Sequence, residues 1–298
     1  MSYNAKILAD SISKDGVRLS TLEVTFPRVI LPEFNTHRVF SRNSCSSRAI
    51  PISKIIEMVR NNPYIPYHWG KNQSGMQAHE EIADELKPIA IAEWLKERDR
   101  AVEAALRFES IGVHKQITNR LLEPFMWQTV IVSSTEWDNF FKQRRSPDGP
   151  FSPNHPAAPD IQRISWLIKE ALDNSCPVKK DYGEWHLPLL PDVQEIIKHY
   201  DKNDYGYMQD ILKKISTGRC ARVSYLTHAG KRDLKADIEL HDRMLASGHW
   251  SPFEHIARPL DHGETDKFPG DVFVGNFRGW VQYRKEFPQE SGINIKDI

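Results

Sequence analysis

The sequence predicts an α/β fold, on three observations. The run LSTLEVTFPRVIL, residues 19–31, is rich in β-branched and apolar side chains and has the composition of strand. Several segments, chiefly 77–107, 160–173 and 233–247, repeat apolar residues at helical spacing. No linker or shift in composition divides the 298 residues, so they read as one domain, 1–298.

Taken in order, 19–31 reads as a strand pair or one long strand. A loop over 35–48 leads to Pro51, and 52–59 then reads as a short helix. Turn residues and aromatics over 60–75 predict loop. The pattern over 77–107 carries Ile91, Leu95, Val102, Ala105 and Leu106, with an interruption expected at Pro88. Ile117 and Leu121, one turn apart, predict helix over 114–122. Residues 125–145 begin apolar and end basic, and Thr135 is placed to cap a helix over 136–143. The prolines between 146 and 159 exclude regular structure. Helix resumes over 160–173 on Ile161, Ile164, Leu167, Ile168 and Leu172. Residues 174–208 read as loop with a short helix near 192–200. Leu234, Ile238, His241 and Leu245 share a face over 233–247, and Gly248 stands where a C-terminal glycine belongs. After a loop over 258–270, residues 271–284 begin as strand. The stretches near 60–80, 146–158 and 174–208 are irregular insertions.

Lys+Arg and Asp+Glu are both 40, so the chain has no net charge. A nucleic-acid polymer is therefore not the expected partner, because such binders carry a basic excess. No apolar run reaches about 18 residues, so no membrane span is predicted. The first residues lack the basic-then-apolar pattern of a secretion signal. Cysteines at 45, 176 and 220 are too far apart to suggest a disulfide framework. These features predict a cytoplasmic protein. Neither CxxC nor HExxH occurs, so no metal site is expected.

Four stretches can carry chemistry. NTHRVFSRNSCSSR, residues 35–48, gathers Arg38, Arg42 and Arg48 among hydroxyl side chains. Arginine forks and backbone N–H groups bind phosphate, so an anion site is expected here, against the alternative of a solvated basic loop. GHWSPFEH, residues 248–255, reads as a helix stop and then a helix start, with Ser251 as N-cap and Pro252 at the first helical position. A zinc reading through His249, Glu254 and His255 is disfavoured, since the adjacent Glu254 and His255 cannot share a helix face. Cys45, between Arg42 and Arg48, is either a nucleophile with a lowered pKa or a small packing residue. NFRGWVQYRK, residues 276–285, either stacks a ring ligand or packs Phe277, Trp280 and Tyr283 inward.

Together these stretches resemble the flavin-dependent thymidylate synthases, the ThyX family. Its signature RHRxxSxNExSxR is matched by His37, Arg38, Ser41, Asn43, Ser46 and Arg48, and departed from at Thr36 and Ser44. The family's ARVS and HGHxTPFEH blocks resemble 221–224 and 247–255. RLLEPFMWQTV, NFFKQRR (with Arg144) and APDIQRI resemble its remaining segments. The blocks stand in the order of a circular permutation, which surface termini tolerate. The tail FRGWVQYRKEFPQESG resembles a faded second copy of the signature, in which Arg284 and Glu290 supply the arginine and carboxylate that the first copy lacks.

The resemblance implies a ThyX-like mixed sheet with flanking helices and a homotetramer. It implies synthesis of dTMP from dUMP, with methylenetetrahydrofolate giving the carbon, FAD carrying hydride and NADPH reducing the flavin. A divergent, phage-like member would work in a bacterial or phage-infected cytoplasm. By carry-over, His37, Arg38, Asn43, Arg144, Ser224, His249 and Ser251 hold FAD. Ser44, Ser46, Ser47, Arg48, Gln162 and Arg163 bind the nucleotide, and Arg48, Arg284 and Glu290 act in catalysis. Glu33 stands for a family Gln, Gln162 for an Arg and Val130 near another, at positions that touch the pyrimidine or its phosphate. These departures leave three alternatives: a hydroxymethylase making 5-hydroxymethyl-dUMP for modified DNA, an enzyme for another pyrimidine, or a non-catalytic nucleotide-binding homologue. A flavin-free enzyme with Cys45 as nucleophile is a further one.

Overall fold

Strands β1 (Asn4–Ser13) and β2 (Arg18–Pro27) form an antiparallel hairpin in the computed structural model, which describes residues 2–191, 193–198, 205–225 and 233–290, without the side chains of 205, 224 and 225. Asp15-Gly16 makes its turn. Gly16 sits at φ +78° and donates to Ser13 O at 3.0 Å, while Ser13 N–H donates to Val17 O at 3.0 Å. Glycine takes this left-handed conformation without strain. The run expected as strand to residue 31 stops at Pro27. Residues 28–30 form a 3₁₀ turn, and Pro32 opens the one-turn helix α1 (Leu31–Phe34).

The stretch 35–48, expected as a loop, contains strand β3 (Ser41–Ser44). It pairs with β4 (Trp127–Ser134), Ser41 opposite Ser133 and Asn43 opposite Ile131. Backbone pairing to an apolar neighbour makes this polar segment a strand; its own side chains do not announce one. The sheet runs β3-β4-β2-β1-β5, where β5 (Val178–Lys180) is parallel to β1 and the other pairs are antiparallel. It is a mixed sheet in an α/β molecule.

Alternation along β4 supplies two cores. Val130 and Val132 join Leu22, Val24 and Phe26 against α6 (Pro159–Asp173), through Ile161, Ile164, Ile168 and Leu172. Ile131 joins Cys220, Val223, Phe253, Ile256 and Tyr283.

The helices begin and end for local reasons. After α2 (Ile52–Asn61), Pro88 lies in the first turn of α3 (Lys87–Ser110), where its missing N–H costs nothing, so it starts the helix and does not interrupt it. α4 (Lys115–Thr118) passes into a 3₁₀ segment over 119–125 that contains Pro124. α5 (Asp138–Arg144) is not capped by Thr135, whose Oγ1 instead accepts from Arg278 N–H at 3.0 Å. α7 (Val193–Lys198) precedes α8 (Tyr205–Ala221), which starts inside the expected loop. Met208, Ile211, Leu212 and Ile215 of α8 bury the face it shares with Ile196. Asp233 caps α9 (Leu234–Ala246), accepting from Ala236 N–H at 3.0 Å. Gly248, at φ +69°, closes it: Gly248 N–H meets Leu245 O at 3.1 Å and His249 N–H meets Met244 O at 2.9 Å.

Residues 271–284, expected to begin as strand, hold three short strands. β6 (Ala257–Pro259), β7 (Phe273–Val274), β8 (Phe277–Arg278) and β9 (Trp280–Gln282) form a second sheet in the order β6-β9-β7-β8. Phe277, Trp280 and Tyr283 are buried, which answers the ring-stacking alternative with inward packing. Among the described residues, no helix is long and apolar enough to cross a membrane.

Candidate functional site

β3 lies where three distant segments meet. Asn43 Nδ2 donates to Cys220 O, at the end of α8, at 2.7 Å, and Asn43 Oδ1 accepts from the Ser251 hydroxyl at 3.4 Å. Buried Ser41 accepts from Gln282 Nε2 at 2.8 Å and from Asn276 Nδ2 at 3.2 Å, and its hydroxyl bonds to the Glu254 side chain. Gln282 also donates to Glu254 O at 2.9 Å. Residues 251–255 form a 3₁₀ turn preceded by Trp250, without a side-chain cap. Ser251 is therefore the first residue of the turn and not its N-cap, which leaves its hydroxyl for Asn43.

Glu254 is the charged centre of this junction. Arg284 donates to Glu254 with one terminal nitrogen and to Glu290 with the other, and Lys285 Nζ holds Glu290 at 2.7 Å. Burial raises the Glu254 carboxyl against the pull of Arg284. Burial also acts on Glu290, but hydrogen bonds from Lys285 and Arg284 outweigh it and hold that carboxyl low. Arg284 Nε is buried with no hydrogen-bond partner.

Arg42 connects the junction to His37. Its Nη1 donates to Asn35 O at 2.9 Å and to His37 O at 3.1 Å. The His37 ring packs against Phe40 and Phe140 and accepts from Arg144 Nε at 3.2 Å. Burial, then the charges of Arg144 and Arg42, push its pKa down to about 4, so the ring is a neutral acceptor at pH 7. Arg144 also binds Glu33 at 2.9 Å and Thr36 at 3.4 Å.

Arg144 and Glu33 form part of the wall of a cleft of about 610 Å³, which also includes Phe151, Asp160 and Gln162. The insertions at 60–80 and 146–158 close it by clasping each other: Gln77 Nε2 donates to Pro156 O at 2.9 Å, and His79 Nδ1 meets Pro153 O at 2.8 Å. Gln162 commits its amide to Ser152 N–H at 2.9 Å, Ser152 O at 3.1 Å and Ala157 O at 2.7 Å. Asp160 accepts from Tyr3 and, at 2.9 Å, from Tyr64. Arg163 lies over the rings of Tyr3 and Tyr67 at 4.7 and 5.2 Å.

The other expected residues take no part in the contacts named above. Ser44 faces Val130 across the ladder and Ser46 is half-buried. Ser47 donates to Glu123 at 2.7 Å, and Glu123 pairs with Arg28 at 2.9 Å. Arg38, Arg48 and His249 are exposed. The Ser224 side chain lies outside the described residues. Cys45 takes the packing alternative and not the nucleophile with a lowered pKa: burial pushes the thiol up to about 11, and the opposing charges are Arg28 and Lys54, not its sequence neighbours. Gln282 and Asp160 escape a reading of the sequence. A lone amide in an aromatic strand carries no signal, and an acid in the first turn of a helix reads as dipole compensation.

Among the described residues, no His, Cys, Asp or Glu cluster could hold a metal. A flavin dinucleotide needs donors for its pyrophosphate. Exposed Arg38 and His249 sit on the two loops that Asn43 and Ser251 tie together, and buried Arg284 Nε lacks a partner. Each is a donor of the type that a pyrophosphate requires. Asn43, whose amide is already engaged on both sides, fits a positioning role.

No family model matches the chain, and no curated protein matches it. Among solved structures it is similar to the UMP/dUMP methylase PolB from Streptomyces cacaoi. The form bound with 5-Br UMP has a TM-score of 0.46 and 14% identity, over 58% of this chain and 89% of that one. The form bound with 5-Br dUMP has a TM-score of 0.45 and 12% identity, over 57% and 90%.

Proposed function

We propose that the chain is a flavin-dependent enzyme that transfers one carbon from methylenetetrahydrofolate to C5 of a pyrimidine nucleotide. The resemblance implies dUMP as the substrate and dTMP as the product. One observation supports it above the others: the stretches that carry the resemblance, 35–48, 247–255 and 276–290, meet at Ser41, Asn43, Ser251, Glu254 and Arg284. Segments this far apart in sequence have no local reason to converge on a set of buried polar contacts.

In this reading the methylene carbon replaces the C5 proton, which leaves to solvent, and tetrahydrofolate is released. A bound flavin would supply the hydride that turns methylene into methyl, after reduction by NADPH. Arg38 and His249 would bind the flavin pyrophosphate, with Arg144 holding His37 in its neutral form beside them. Arg48 and Ser46 would take the nucleotide phosphate, while buried Ser47, whose hydroxyl is given to Glu123, would not. Arg284, fixed from both sides by Glu254 and Glu290, would direct its open N–H toward negative charge developing on the pyrimidine oxygen. A homotetramer would bring a second chain over the exposed donors.

The test is the mass of the nucleotide after incubation with FAD, NADPH, methylenetetrahydrofolate and dUMP. A methyl gain supports thymidylate synthesis. A hydroxymethyl gain means that water captures the transferred carbon, the outcome that altered pyrimidine contacts would produce. A protein that neither retains flavin nor alters any pyrimidine nucleotide overturns the proposal.

A further inference from the structure

We infer that Asn119 and Lys115 are positioning residues: they grip the backbone of the turn 46–50 and so hold Arg48 where a nucleotide phosphate meets it. The inference rests on the reading of Arg48 as the phosphate contact and adds to it two residues outside every stretch that carries the resemblance.

The turn presents one side chain to solvent. Arg48 is exposed, while Ser47 and Ile50 on either side of it are buried. Ala49 N–H closes the turn on Ser46 O at 3.0 Å. The segment 115–123 then takes three of its carbonyls. Asn119 Nδ2 donates to Ser47 O at 2.7 Å and to Ile50 O at 3.0 Å, and Lys115 Nζ donates to Ala49 O at 3.0 Å. A fourth tie is the Ser47 hydroxyl on Glu123, which Arg28 holds at 2.9 Å.

Asn119 is fixed in its own place. It opens the 3₁₀ segment 119–125, and residues three apart on such a segment share a face. Leu122, three residues on, is fully buried in the cluster that holds Ile50, Ile52 and Ile55. Asn119 itself is 1% exposed. Both atoms that its amide nitrogen meets are carbonyl oxygens, so the amide has one orientation, and Oδ1 is left buried without a hydrogen-bond partner. An unpaired buried acceptor is a cost to the fold. What the amide gives against it is a pair of N–H bonds, one to the chain before Arg48 and one to the chain after. A guanidinium binds phosphate through two parallel bonds and is sensitive to its placement. A turn held from behind also loses less freedom when the phosphate arrives.

The experiment is equilibrium binding of dUMP to the full chain, to Asn119→Ala, to Arg48→Ala and to the double variant, with a urea midpoint for each. The expected result is that Asn119→Ala weakens dUMP roughly tenfold. In the Arg48→Ala background the same change costs less than about twofold, because the two residues act as one unit. Full affinity in Asn119→Ala overturns the inference. So does an equal loss in both backgrounds, which is what a merely structural amide would produce. If Asn119→Ala does not fold, Lys115→Met, at an exposed residue, carries the same cycle. A loss seen only while Arg48 is present supports the inference, and no loss, or an equal one in both backgrounds, overturns it. Unchanged dUMP affinity in Arg48→Ala overturns the reading of Arg48 as the phosphate contact, and the inference with it.

Discussion

Arg42 and Arg48 flank Cys45 in the sequence, yet its thiol sits in an apolar cluster with Ile50, Ile55, Val59 and Met126. Desolvation there outweighs charge, and the thiol stays protonated at neutral pH. Cys45→Ala is expected to keep nucleotide affinity and turnover and to lose about 1 kcal/mol of stability, the scale of a small core truncation. Turnover abolished in a folded Cys45→Ala protein would return the thiol to the role of nucleophile. Arg48 is the opposite case: exposed, and without an ion pair among the described residues. Arg48→Ala should weaken dUMP about ten- to a hundredfold, the worth of a charged phosphate contact, with an unchanged denaturation midpoint. Equal affinity in both proteins removes Arg48 from the site.

At the scale of elements, α8 packs against α9 with Gly218 at the contact. A Cβ there would collide with the Asp237 carbonyl oxygen. Helix propensity alone favours alanine by about 1 kcal/mol. The collision works against it, because moving the helices apart disturbs the pairs that Asp237 makes with Arg219 at 3.0 Å and with Arg222 at 2.6 Å, in a buried setting. Overpacking costs about 1–3 kcal/mol and the buried pairs add to that, so Gly218→Ala is expected to be destabilising in urea titration. A stabilised variant would show that the two helices separate freely. The helices were legible to the degree that their signals are local. α6 and α9 follow their apolar spacing, and α9 ends at its glycine. α8 was not read as a helix: Met208, Ile211, Leu212 and Ile215 carry its apolar face, but they follow a long polar stretch that reads as loop. β1 carried the Asp15-Gly16 turn signal, whereas β3 carried none, since its strand character comes from β4.

Across the whole molecule, a line of buried polar groups crosses the central sheet. Ser11 bonds to His186 Nδ1 at 2.8 Å, His186 Nε2 to Thr21 at 2.7 Å, Thr21 to Ser133 at 2.6 Å, and Ser133 to His255 Nδ1 at 2.8 Å. Burial pushes the pKa of both histidines down to about 3. The unfolded chain therefore binds a proton at each near its ordinary value, and the folded chain does not. Stability from this source is complete above about pH 6.5 and falls as the pH drops from there toward 3, by about 1.4 kcal/mol per pH unit for each histidine. Urea midpoints measured at pH 7, 6, 5 and 4.5 should decline with that slope. A midpoint that stays flat over this range would mean that the histidines do not remain neutral in the fold.

The sequence by itself determined what neighbouring residues decide: the α/β class, the amphipathic helices, the glycine that ends α9, and the gathering of Arg38, Arg42 and Arg48 in one stretch. It also marked Ser251, Arg144, and Arg284 with Glu290 as separate candidates, but not Glu254. The tertiary structure alone decided which of them meet. Ser251 reaches Asn43, Arg284 reaches Glu254, and Arg144 joins His37 to Glu33 at the wall of a cleft built from two insertions. Periodicity and capping act over one or two turns of chain and can be read in order. Desolvation, ion pairing and cavity shape sum over atoms that are far apart in sequence, so the high pKa of Cys45, the neutrality of His37 and the polar edge of the cleft exist only once the chain has folded.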